Sequence, residues 1–340
     1  MNGASPRAPW LVADIGGTRA RFALVRGEDG ALADTRVFAC RDFATPQAAA
    51  LAYLEQIAGP GQPVLSPRRV ALALATPIDG DSVCMTNSDW CVSRADMAQA
   101  LGADEVLLLN DFEALALALP ELAAARGDEA VQWMTAARPD RTLPMAAIGP
   151  GTGLGVAGCV PAGRDWVALA AEGGHVTAAA ADDFEGQLLR VMRIEHAHVS
   201  AERMLSGTGL PLLHRAVCIV RGTPCDDNLE PADITRRALD EGDADCLATL
   251  DSFCAMLGSF AGNVALTLGA RGGVFIAGGV AQKLGSYLAR SRFRARFEAK
   301  GRFEPYLAAI ATGIIKAPYP ALHGAVRRLA QSAAAANAAS

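Results

Sequence analysis

The chain has 340 residues, 51% hydrophobic and 20% charged, and its 31 Lys and Arg against 36 Asp and Glu leave a formal net charge of −5. At roughly 150 residues per domain this length predicts about two domains with a substantial core, which excludes disorder over most of the chain. The mildly acidic balance, with no basic block, excludes the electrostatic footprint of a nucleic-acid or anionic-membrane surface, and no window reaches the roughly 18 unbroken apolar residues of a membrane span.

Met1 to Pro9 carries one Arg and leads only into Trp10-Leu11-Val12-Ala13, too short for a signal-peptide core, so a cytoplasmic location is expected. Trp10 to Ile15 reads as a strand, Gly16-Gly17-Thr18 as a turn and Ala20 to Val25 as the returning strand of a hairpin. A third strand over Val37 to Cys40 precedes a helix with Thr45 as its N-cap, Pro46 as its first residue and Gly59 as its stop. The apolar run Val70 to Ala75 predicts a strand buried on both faces, and Ser93 and Gly102 bracket a second helix. Val106 to Leu109 is another buried strand, delivering Asn110 and Asp111 to the start of a helix over Phe112 to Leu119. The order is β-β-β-α-β-α-β-α.

A second cycle opens with the strand Met145 to Ile148, turns through Gly149-Pro150-Gly151-Thr152-Gly153 and resumes over Leu154 to Val160. A strand, a Gly/Thr turn and a strand thus occur twice, which predicts two related α/β halves. Helical sequence follows over Phe184 to Ile194, Ala201 to Leu205, Leu210 to Val220, Ile234 to Leu239 and Cys246 to Leu268, and the strand Val274 to Ala277 runs into Gly278-Gly279. The low-complexity tail, 333–340, is expected to be disordered.

Several chemistries are absent. None of the three lysines follows a Gly or precedes Ser or Thr, which excludes a Walker A loop, and no G-x-S-x-G or H-E-x-x-H occurs. No two of the eight cysteines have zinc-knuckle spacing, and all are read as reduced core thiols. Gly153, Gly155 and Gly158 match G-x-G-x-x-G, but strand-like sequence follows where a dinucleotide fingerprint requires a helix.

The glycines carry the remaining signal. Asp14-Ile15-Gly16-Gly17-Thr18 sets a carboxylate, able to hold Mg²⁺ through water, beside a turn whose backbone N–H groups suit phosphate oxygens; a plain hairpin turn reads the same way. Gly149 to Gly155 is a second such turn, with the Thr152 hydroxyl as an extra donor. Asp111, at the usual ligand edge of an α/β sheet, suits either a helix cap or a base accepting a proton from a bound hydroxyl. Glu172-Gly173-Gly174-His175 gathers two hydrogen-bonding side chains, and Glu202 follows in a helical context that would equally make it a solvated face residue.

In this order the motifs closely resemble the bacterial glucokinase family of the hexokinase, heat-shock-protein and actin ATPase superfamily, over roughly Trp10 to Arg328. Leu109-Asn110-Asp111-Phe112, Gly151-Thr152-Gly153-Leu154-Gly155, Glu172 to Val176, Ser200 to Arg203 with Leu205-Ser206-Gly207, and Gly273 to Gly279 carry the resemblance, together with the first turn. It implies two ribonuclease-H-like α/β domains around a cleft: a small one over 8–121 and 318–332, and a large one over 122–317. It implies ATP-dependent phosphorylation of the glucose 6-hydroxyl, with Asp111 as general base and Asn110, Glu172, His175 and Glu202 as further sugar ligands. ATP and Mg²⁺ would be held by Ala13, Asp14, Ile15, Gly16, Gly17 and Thr18, by Gly151 and Thr152, and by Gly278 and Gly279, with Asp14 serving Mg²⁺. A homodimer acting on glucose and ATP, with no nucleic-acid or membrane partner, is the matching expectation.

Two positions depart from the family pattern, Arg19 where Asn is usual and Pro150 beside the second turn. Zinc-motif relatives are excluded, because no cysteine lies between Cys159 and Cys218. A kinase of another hexose or amino sugar, or a non-catalytic sugar-sensing regulator, is the alternative.

Overall fold

The computed structural model describes residues 9–27, 30–86, 88–125 and 129–339. They fall into two compact units: the described residues of Met1–Ala118 with Ala162–Ala168 and Pro318–Ser340, and those of Leu119–Pro161 with Leu169–Ala317. The short segment 162–168, which the sequence reading assigns to the large domain, belongs to the first unit. There the Asp165 carboxylate accepts hydrogen bonds from Arg327 (3.1 Å) and Gln331 (2.7 Å).

The first unit is built on strands β1 (Trp10–Ile15), β2 (Arg19–Val25), β3 (Leu32–Ala39), β4 (Arg69–Leu74) and β7 (Glu105–Asn110), in the order β3-β2-β1-β4-β7. β1 runs antiparallel to β2 and parallel to β4, which in turn is parallel to β7. Register sets Ile15 level with Leu74, and Leu74 level with Asn110, so the first turn and the Asn-Asp pair lie on the same C-terminal edge. Helix α1 (Pro46–Ala58) begins where Thr45 Oγ1 accepts from the Ala48 amide, and α2 (Arg94–Leu101) where Ser93 Oγ accepts from Asp96. Phe22 stacks on Tyr53 at 5.5 Å inside a core that includes Leu11, Leu24, Leu54 and Leu72. Each such buried side chain stabilises the unit by roughly 1.5–3 kcal/mol.

A second sheet holds β8 (Val131–Trp133), β9 (Met145–Pro150), β10 (Leu154–Ala162), β11 (Asp165–Ala171), β12 (Gly273–Ile276) and β13 (Thr312–Ile315), in the order β11-β10-β9-β12-β13-β8; it belongs to the second unit except for Ala162 and the first four residues of β11. Its first five positions reproduce the first unit's order, an outer strand, a hairpin strand pair and two parallel neighbours, and β8 is an added antiparallel edge. Three helices after β11, α4 (Asp183–Glu195), α5 (Ala201–Met204) and α6 (Gly209–Arg221), join α7 (Pro231–Arg236) and α8 (Ala244–Leu268) around a core that includes Phe253, Phe293 and Phe297; α3 (Asp111–Ala124) straddles the boundary of the two units.

Three expectations need correction. Cys84 and Cys91 are not reduced thiols: they face one another across the hairpin of β5 (Ser82–Cys84) and β6 (Cys91–Ser93) and form a disulfide. Three-residue strands are too short for periodicity to show, which hid the pairing. The tail is not disordered, because the C-terminal helix Pro320–Ala339 continues to Ala339, as an alanine-rich segment with the best intrinsic helix former favours; Ser340 lies outside the described residues. That helix packs Leu322, Ala325 and Leu329 against β1 and β4. α3 runs past the expected end at Leu119 with Pro120 inside it.

Candidate active site

In the first unit the chain closes its turn through the Gly16 N–H to the Arg19 carbonyl (2.9 Å), and Cys40 ties the turn down through its own N–H to Thr18 O (3.0 Å). Gly17 is half-buried and Thr18 exposed. Asp14 and Arg21 face each other in the antiparallel register, and Arg21 donates to Asp14 Oδ2 at 2.9 Å. Burial raises the Asp14 pKa above its ordinary value, and the Arg21 guanidinium opposes that shift. Arg19, the departure from the family pattern, is exposed at the start of β2 and is not the partner of Asp14. Ala13 and Ile15, on either side of Asp14 in β1, are fully buried.

The Asn110-Asp111 step resolves into two roles. Asn110 Oδ1 accepts from the amides of Phe112 (2.9 Å) and Glu113 (3.3 Å), and Glu113 Oε2 accepts from the Asn110 amide (3.4 Å). This reciprocal pair is a capping box, and Asn110 is therefore the helix cap. Its Nδ2 donates to Thr76 O, two residues beyond β4 (3.2 Å), which leaves the second amide hydrogen to donate elsewhere. Asp111 is the first residue of α3, where the unsatisfied N–H groups and the helix dipole favour a negative charge. Glu113 escaped the sequence reading; its only signal was its place three residues after Asn110. Burial raises its pKa, opposed by the Asn110 amide and by Arg328.

In the second unit, the turn after β9 closes through the Gly151 N–H to Gly153 O (2.8 Å), and the Gly207 N–H reaches Gly151 O (2.7 Å). Gly151 was expected among the phosphate donors, but its N–H is spent inside the turn. Donor capacity passes to the Thr152 and Gly153 amides and the exposed Thr152 side chain. The Thr208 hydroxyl donates to Thr152 O at 3.0 Å and braces the turn from the segment before α6; sequence reading missed both Thr208 and Gly207 as elements of it.

Glu202, on α5, accepts from the Leu154 amide at 2.8 Å through Oε2, immediately beyond that turn. Its Oε1 lies 3.9 Å from His175 Nδ1, and His175 Nε2 lies 4.0 Å from Glu172 Oε2. The structure thus brings Glu172, His175 and Glu202 together beside the Thr152 turn. Exposure follows that order of anchoring: 60% and 61% for the Glu172 and His175 side chains against 30% for Glu202. The intervening Gly174 sits against the Leu154 carbonyl, where a Cβ has no room, so glycine allows the motif to lie on β10. At the end of β12, Gly278 has φ +84° and packs against the Pro150 carbonyl. Only glycine combines that conformation with that approach, and it sets Gly278 against the end of β9 that leads into the same turn.

Two carboxylates and an imidazole, next to a turn with unspent amides, can bind several hydroxyls of a polyol close to a phosphate. Hard carboxylate oxygen, with Asp14 Oδ1 outside the Arg21 bond, suits Mg²⁺.

A family model described as Glucokinase matches residues 11–332. The glucokinase of Chromobacterium violaceum is 46% identical over 334 residues, covering 97% of this chain and 92% of its own. The "Bifunctional protein glk" of Burkholderia thailandensis is 45% identical over 95% of this chain, which spans only 49% of that longer protein. Among solved structures, a glucokinase from an Antarctic psychrotroph superposes with a TM-score of 0.85 at 36% identity, covering 95% of this chain and 99% of the other.

Proposed function

This chain belongs to the glucokinase family, and from that premise we propose that it transfers the terminal phosphoryl group of ATP to the 6-hydroxyl of D-glucose. The observation that carries the reading is the double engagement of Glu202, which binds the edge of the Thr152 turn with one oxygen and faces His175 with the other. One carboxylate therefore couples a polyol-binding group to a phosphate-binding one.

Asp111 takes the proton of the attacking hydroxyl, so the oxygen gains nucleophilicity as it approaches phosphorus. Asn110 donates its remaining amide hydrogen, and Glu172, His175 and Glu202 satisfy further hydroxyls. Each hydroxyl left buried without a partner would cost about 1–3 kcal/mol, which is the physical basis of sugar selection. The amides of Gly17, Thr18, Thr152 and Gly153 hold phosphate oxygens. Asp14 would hold Mg²⁺ through water, and the ion supplies charge neutralisation at the phosphates when bound. Phosphoryl transfer depends mainly on positioning and electrostatic stabilisation, so the lack of a Walker lysine is no obstacle.

The same reading makes the enzyme a cytoplasmic homodimer; among the described residues no helix is long and apolar enough to cross a membrane. A coupled assay comparing glucose, fructose, mannose and glucosamine, each with ATP-Mg²⁺ and with polyphosphate, tests it. The highest kcat/KM is expected for glucose with ATP. A preference for another sugar would move the enzyme to a neighbouring specificity, and no turnover with any of them would leave a sugar-binding regulator.

A further inference from the structure

Away from the kinase site, α6 and the loop after it assemble His214, Cys218 and Cys225, whose ligating atoms all lie within 4.8 Å of one another. His214 and Cys218 are four residues apart on α6 and so share one helix face. Cys225 returns to them after the left-handed Gly222, which ends the helix.

We propose that His214, Cys218 and Cys225 form a binding site for a thiophilic divalent cation, Zn²⁺ in the first instance. Zn–S bonds of about 2.3 Å and a Zn–N bond of about 2.0–2.1 Å at a tetrahedral angle put sulfur and nitrogen roughly 3.6 Å apart. Cys218 Sγ and His214 Nε2 are 3.6 Å apart.

The imidazole is already set in the ligating tautomer. Thr249 Oγ1 spends its single hydrogen on Asp245 O at 2.7 Å, so toward His214 Nδ1, 2.9 Å away, it can only accept. Nδ1 therefore carries the proton, and Nε2 turns a lone pair toward Cys218 Sγ. A hydrogen bond that fixes the far ring nitrogen is the usual support of a metal-bound histidine.

His214 and Cys218 are buried, which shields the bonds, while Cys225 is partly exposed and lines a surface cavity with Asp226 and Asp227. That cavity supplies an entry path and a fourth position for water or an Asp227 oxygen. On binding, both thiols lose their protons to solvent, two thiolates and a neutral imidazole take the ion, and the loop becomes stapled to α6.

The test is a titration of the full chain, reduced and freed of metal by a chelator, with Co²⁺ as the spectroscopic probe. Expected are one Co²⁺ per chain, the thiolate-to-cobalt charge-transfer band of a tetrahedral site, release of two protons, and bleaching by Zn²⁺. Cys218→Ser and Cys225→Ser should each abolish the band, and Cys254→Ala, which alters a thiol elsewhere in the core, should preserve it. Thr249→Val, which removes only the group that orients the imidazole, should weaken Co²⁺ binding by about 10–100-fold. Absence of the band in the wild-type chain, its survival in Cys225→Ser, or a Cys218–Cys225 disulfide formed under mild oxidation by a chain that binds no Co²⁺ would each overturn the proposal.

Discussion

Glu202→Ala removes one carboxylate from two places at once. The Leu154 amide lies on a residue only 4% exposed, and it would lose its acceptor, at a cost of about 1–3 kcal/mol. The sugar would lose a hydrogen bond to a charged group, worth about 1.5–3 kcal/mol. At 1.4 kcal/mol per factor of ten, the second loss alone raises the KM for glucose by roughly 10- to 150-fold. The first loss loosens the Thr152 turn, so the KM for ATP should rise as well, by an amount reduced by whatever share of the cost appears as lost folding stability.

Glu202→Gln separates the two effects. Its amide oxygen can still accept from Leu154, so the KM for ATP should stay at the wild-type value while glucose binding weakens through loss of the charge. Steady-state kinetics of both variants, varying each substrate at saturating levels of the other, give the four KM values. The reasoning fails if Glu202→Ala leaves the KM for ATP unchanged, because the carboxylate then does not brace the turn; it fails equally if the Gln variant raises the KM for ATP as much as the Ala variant does.

Asp111→Asn should lower kcat by about 10²–10⁴-fold with little change in glucose affinity by calorimetry, and activity close to wild type would remove Asp111 as the base. Asn110→Ala should cost about 0.5–2 kcal/mol of stability through the lost helix cap, whereas Asn110→Asp should retain it; thermal melting of the pair reads the difference. Asp165 gives a pH dependence with a defined sign. Burial pushes its pKa up, but hydrogen bonds from Gln331, the Trp166 amide and Arg327 outweigh this and leave it below the ordinary 3.8. Its stabilising contribution is therefore complete above that value and lost as the pH falls through the lower folded one. Melting temperature against pH should fall less steeply there for Asp165→Asn than for wild type, and identical slopes would show that Asp165 carries none of the acid sensitivity.

What the sequence could reveal depended on how local the determining interactions are. The caps Thr45 and Ser93 bond to amides three residues away, and both helix starts were legible. The buried strands announced themselves as apolar runs, since sequence periodicity and burial are the same fact read twice. The link between Glu202 and Leu154 spans 48 positions, and no pattern within either segment encodes it. The Cys84–Cys91 hairpin is hidden in the sequence because its strands are three residues long, and the C-terminal helix because a low-complexity composition fits disorder and an alanine-rich helix alike. The resemblance makes Asn110 a sugar ligand, and only the structure shows its second task, with Oδ1 capping α3 and Nδ2 bonded to Thr76 O.

The two phosphate turns show how a repeated topology is given unequal electrostatics. Register aligns them, since the last pair before the turn is Ile15 with Ala20 in one hairpin and Pro150 with Leu154 in the other. One step back from the turn, the first hairpin pairs Asp14 with Arg21, and the second pairs Gly149 with Gly155. At these paired positions the first turn carries a carboxylate and its counter-ion and the second carries no charge, its one carboxylate reaching it from Glu202, 48 positions away. Asp14 keeps Oδ1 outside its bond to Arg21, whereas the Glu202 oxygen at the second turn is taken up by the Leu154 amide, so a divalent cation gains more at the first turn. The asymmetry supports the proposal that Asp14 serves Mg²⁺. It leaves the Thr152 turn to hold phosphate through neutral donors, which is also why that turn needs Gly207, Thr208 and Glu202 to fix its shape.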